Sequence, residues 1–176
     1  MNGAVLIATL ANVVVAIATY AYYGWNAVGG AVATRNTARL SSVFFAIALA
    51  SHFHSRFGRD YVPLIKAFVA AHVVHYATVI AFHAILGKLA TPMFWGVSST
   101  GAILLAATAL TITKMPRTHL VLTYVVWLAF MVAFTSGLAK HMLLYAPFVA
   151  LLVIAILVHL VNTFRSRKIS ASSASA

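Results

Sequence analysis

Eight histidines are the residues of this chain best suited to chemistry, and three of them share one apolar stretch, FVAAHVVHYATVIAFH, Phe68 to His83. A neutral imidazole can ligate a metal ion or a haem iron, or hydrogen-bond a partner on a neighbouring helix. At about 100° per residue, His72 and His83 fall within roughly 20° of each other on one helical face, about 16 Å apart along the axis, while His75 lies about 60° aside. That spacing suits a helix that shows its histidines to a shared interior. Cysteine is absent, which excludes disulfides, thiolate ligands, iron-sulfur clusters and thioether-attached haem. Any metal or haem therefore rests mainly on histidine. Asp60 is the only acid, so general acid or base residues are almost lacking, as are the carboxylates through which pumps and transporters relay protons. No nucleophile constellation, phosphate loop, flavin site or nicotinamide site is recognisable.

The elements that must position these histidines are transmembrane helices. The 176 residues are 63% hydrophobic and 7% charged, beyond what a soluble domain tolerates on its surface. The net charge of +11 does not mark a nucleic-acid binder, because the basic residues sit between apolar segments, a pattern of membrane topology. The N-terminal MNGAVLIATLANVVVAIATYAYYG lacks a basic leader, and its apolar run is too long for a typical signal-peptide core, so it reads as a retained first span. Five more apolar segments follow at 40–53, extending back through Asn36, and at 62–86, 92–113, 119–138 and 141–164. Breaks are expected at GWNAVGGAVATRNTAR, HSRFGRDYVP, GKLATP, TKMPRTH and SGLAK, where Gly, Pro and charge cluster. The expected fold is all-α, an integral membrane bundle of six transmembrane helices over residues 1–168, with 169–176, ISASSASA, a disordered tail.

Orientation follows from the basic residues. With both termini cytoplasmic, the inner segments hold Arg56, Arg59, Lys66, Lys114, Arg117, Arg165, Arg167 and Lys168, against Arg35, Arg39, Lys88 and Lys140 outside. The bias predicts N-in and C-in, in a bacterial inner membrane. The RSRK near the end is placed to touch anionic headgroups. His52, His54, His119 and His159 then lie at the cytoplasmic level, where each could simply meet water or headgroups, or together hold a non-haem metal, although the neighbouring basic residues oppose a cation there. His83 and His141 lie near the outer side. His72 and His75 lie deeper, where an imidazole needs either a ligand or a Ser or Thr on a neighbouring helix. Tyr124, Trp127, Phe130 and Phe134 form a stripe that either lines a flat macrocycle or packs as ordinary helix core.

Six helices in this order, with TARLSSVFFAIALA, HVVHYATVIAFH, TPMFWGVSSTGAILLAATALT and HLVLTYVVWLAF on the second to fifth, resemble the ferric-reductase-like transmembrane domain. That family includes the haem-binding membrane subunit of the methionine sulfoxide reductase system and the membrane part of NADPH oxidases. The resemblance implies a b-type haem between helices 3 and 5, ligated by histidine from both, and electron transfer across the bilayer. His75 matches the histidine in the middle of the family's helix 3, and His119 the one that opens its helix 5. Neither family pair is complete, since helix 5 has Met131 to Ser136 where an outer histidine would stand. His72 offers a substitute nearer the cytoplasmic end. Counted from Lys66 and Arg117, it lies about 9 Å deep and His119 about 3 Å, so a shared iron requires helix 5 to tilt or shift inward. Arg56, Lys66 and Arg117 lie at the right level to pair with haem propionates.

Two functions are therefore expected. One is a haem b electron-transfer component, ligated by His119 with His72 or His75 and served by a separate electron-donor protein. The other is a cofactor-free structural or accessory subunit of a larger membrane complex. Both place the chain in a lipid bilayer among other membrane subunits, without nucleic acid.

Overall fold

The structure, a computed structural model, describes residues 2–52 and 61–173. They form six helices: α1 (Gly3–Tyr23), α2 (Ala27–Ser51), α3 (Tyr61–Ile85), α4 (Pro92–Thr111), α5 (Pro116–Leu138) and α6 (Met142–Ser173). Five of these, all but α2, are long and apolar enough to cross a membrane. His54, Arg56, Arg59 and Asp60 lie outside the described residues. Helix α6 continues to Ser173, into the segment 169–176 expected to be a disordered tail.

The largest departure from expectation is α2. The stretch GWNAVGGAVATRNTAR was expected to be a break, yet helix begins at Ala27 and only Gly24, Trp25 and Asn26 separate it from α1. Local chemistry explains the sharp turn. Gly24 takes φ +83°, a region open to glycine without steric cost, and Asn26 caps α2 by accepting from the Val28 and Gly29 amides at 2.9 and 3.0 Å. Gly30 is a contact residue, not a breaker: a β-carbon there would come within 2.6 Å of the Phe82 ring.

Helix α2 packs against α1, α3 and α6, while α5 packs on α4 and α6. Its buried stripe of Gly30, Ala33, Thr37, Ser41, Phe45 and Ala48 recurs at helical spacing and is mostly small or hydroxylic, which lets neighbouring helices approach closely. The same stripe explains its lower hydropathy. The central helix meets protein on several sides and needs less apolar surface than one bathed in lipid. The core joins Phe45 and Leu49 of α2 to Phe68, Leu105, Phe130 and Leu152 of the other helices.

Candidate functional site

The chain alternates direction, so the end of α2, the start of α3, the end of α4, the start of α5 and the distal part of α6 converge. There a network of buried polar side chains has formed. His119 is 2% exposed. Its Nδ1 lies 2.9 Å from the Thr108 carbonyl, which can only accept, so Nδ1 carries the proton. Nε2 then accepts from the Tyr61 hydroxyl at 2.7 Å. Both nitrogens are engaged, and the one lone pair available to a metal is already directed at Tyr61.

His159, fully buried, meets the Tyr124 hydroxyl through Nε2 at 2.8 Å and stacks on His52, with ring centroids 5.1 Å apart and planes within 1°. His52 also lies 4.2 Å from the Tyr61 ring, and Asn162 donates to the Ala50 carbonyl at 3.2 Å. The cytoplasmic histidines named from sequence are thus brought together, apart from His54, but as a hydrogen-bonded and stacked cluster. No group of three or more metal-ligating side chains stands in coordinating geometry among the described residues.

His72 and His75 lie elsewhere. From Tyr61 to His72 is eleven residues of α3, roughly 16 Å, whereas two axial nitrogens about 2 Å from one iron stand about 4 Å apart. His119 is tied to Tyr61, so it does not meet His72, still less His75. The residues present do not fit a haem held by His119 together with either. The proposed propionate partners are not gathered there either: Lys66 and Arg117 are exposed and line no part of the cavity beside His72, while Arg56 is outside the described residues.

His75 is held from α2. Thr37 donates its hydroxyl to the Ala33 carbonyl at 2.8 Å and lies 3.1 Å from His75 Nδ1 and 3.0 Å from Thr78. This interhelical Thr is the cheaper of the two solutions expected for a deep imidazole. His72 has no such partner. It lines a cavity of about 230 Å³ where α3 faces α4 and α5, and its buried Nδ1 meets no hydrogen-bonding group among the described residues. The α5 wall is Val126, Ala129, Phe130, Ala133 and Phe134, without a second imidazole. The aromatic stripe is thereby divided. Tyr124 and Trp127 bind His159 and the Leu152 carbonyl on α6, while Phe130 and Phe134 join the core and wall the cavity. Farther out, His83 bonds the Val79 carbonyl of its own helix and His141 is exposed.

One further group was missed because its segment was read as a loop. Arg39 is the thirteenth of the 25 residues of α2, about 18 Å from either end. Its guanidinium lies 4.8 Å over Tyr145 and 5.6 Å over Phe148 of α6, bonds Asn36 at 3.3 Å and keeps Nε buried without a partner. The signal was present in the sequence, since Arg35 and Arg39 are one turn apart on the same face once the helix is continued backward.

These features define an all-helical membrane-type bundle with a hydrogen-bonded histidine end, a deep arginine and a small apolar cavity. No family model, no curated protein and no solved structure matches the chain. The resemblance to the ferric-reductase-like domain therefore rests on the quoted motifs alone.

Proposed function

We propose that the chain is a multi-pass integral membrane subunit of a larger membrane assembly, with α2 crossing beside the five apolar helices and both termini cytoplasmic, in a bacterial inner membrane. Placing Arg35 and Arg39 within a crossing helix leaves Lys88 and Lys140 as the outer basic residues, which widens the inner bias. The observation that carries the assembly is Arg39. A guanidinium at mid-helix depth is costly in a bilayer and calls for a counter-charge, yet the chain's only acid is Asp60. Tyr61, its neighbour, packs on His52, thirteen residues along α2 from Arg39, or roughly 20 Å. A second copy of the chain in the same orientation has the same gap, so the carboxylate comes from a different membrane chain. Crosslinking in native membranes tests this. The wild type is expected in a larger hetero-complex that Arg39→Gln loses. A wild type that stays monomeric, or a complex indifferent to the substitution, overturns it.

The haem b reading is the second. His72, unbonded beside a cavity between α3 and α5, favours it, since the family resemblance expects a macrocycle between those helices. A haem there would take His72 from this chain and supply electron transfer, with an electron-donor protein as partner. An absorption spectrum of purified protein, oxidised and dithionite-reduced, separates the two: a b-type spectrum lost in His72→Ala supports the haem carrier, and a featureless one supports the cofactor-free subunit.

A further inference from the structure

The His72 cavity has the attributes of a binding site for something smaller than a macrocycle. Its volume is about 230 Å³, against roughly 300–1,000 Å³ for typical drug-sized ligand sites and about 150 Å³ for an apolar cavity known to take up benzene. The walls are Phe68, Phe130, Phe134 and Leu105 with the small Ala129 and Ala133, so the shape is set by rings and methyl groups. Into this apolar setting α3 places one imidazole. His72 is packed edge to face against Tyr76 at 5.2 Å and against Phe130 at 5.5 Å, which holds its ring without satisfying it.

A buried polar nitrogen left unpaired is destabilising, and native proteins rarely keep one without an occupant or a use. Water is a poor occupant here, because a buried water needs about two to four polar partners. A flat apolar molecule with a single polar group matches the wall and the nitrogen together. We propose that this cavity binds a small neutral monocyclic aromatic carrying one hydroxyl or carbonyl group, with that group hydrogen-bonded to the His72 imidazole and the ring packed among Phe68, Phe130 and Phe134. A neutral imidazole has one donor and one acceptor, so either group finds a complement. Gly101 sets the depth of the site, since a β-carbon there would collide with the Tyr76 hydroxyl and drive that side chain out of place.

Fluorine NMR on the full chain in lipid nanodiscs tests the site with para-fluorophenol and its near-isostere para-fluorotoluene. Both are expected to give a saturable bound signal, abolished when Ala129→Phe fills the cavity. In His72→Leu the affinity for the phenol is expected to fall about three- to tenfold, the value of one hydrogen bond, with the toluene unchanged. Loss of both ligands equally, no loss of the phenol, or no saturable signal in the wild type overturns the proposal. A wild type that purifies with a b-type haem spectrum abolished by His72→Leu also overturns it, because the macrocycle then holds the imidazole. Should His72→Leu not fold, the Ala129→Phe comparison still decides, since binding that survives a filled cavity is not binding in it.

Discussion

At the residue scale, the histidines divide by what each ring nitrogen touches. His119 is closed: one nitrogen donates to a helix carbonyl, the other accepts from Tyr61. Removing the Tyr61 hydroxyl leaves a buried acceptor unsatisfied, which costs about 1–3 kcal/mol. Tyr61→Phe should therefore lower the melting temperature of the purified protein in detergent, followed by helical circular dichroism. Tyr61→Phe/His119→Leu should recover part of the loss, because replacing both partners by apolar groups of similar shape is nearly neutral. A single variant that melts like the wild type would remove this bond from the account of stability. The need of a deep histidine for Ser or Thr was legible in sequence, and Thr37 supplies it to His75. The identity of that Thr was not legible, nor was Tyr61 as the partner of His119. Such pairs span 38 and 58 residues, and only the packing of separate helices brings them together.

At the scale of elements, apolar length located five spans within a few residues, because a helix facing lipid must advertise it in composition. The second helix was shortened in the sequence reading for the converse reason. Its buried face is small and hydroxylic, and Gly29, Gly30, Arg35 and Asn36 resemble loop chemistry until Asn26 is recognised as a cap. The absence of cysteine gives a clean background for testing whether it crosses. With six crossings, Trp25→Cys and Lys88→Cys should both react with an impermeant thiol reagent from the outer side, and Lys114→Cys only after permeabilisation. If α2 fails to cross, the first two sites fall on opposite sides of the bilayer. That outcome would also withdraw Arg39 from mid-membrane depth.

At the scale of the whole molecule, the distribution of charge sets the isolated chain against its assembly. An arginine at the centre of a crossing helix costs roughly 2.5–3.5 kcal/mol on insertion scales, and contact with aromatic faces such as Tyr145 and Phe148 returns about 0.5–2 kcal/mol. The isolated protein thus carries a net penalty at Arg39 that a partner's carboxylate would offset. Arg39→Leu removes the penalty together with the ring contacts, and Leu suits both the helix and the neighbouring apolar rings. Purified alone in nanodiscs, the Arg39→Leu protein should melt at a higher temperature than the wild type. In native membranes the order should reverse, the wild type being protected by its partner and the variant, unassembled, being turned over faster. This opposition distinguishes a charge kept for assembly from one kept for folding, because a structural arginine lowers stability in both settings when it is removed. A fall in the melting temperature of the isolated Arg39→Leu protein would place the residue among the internal supports of the bundle and take away the main ground for a partner chain.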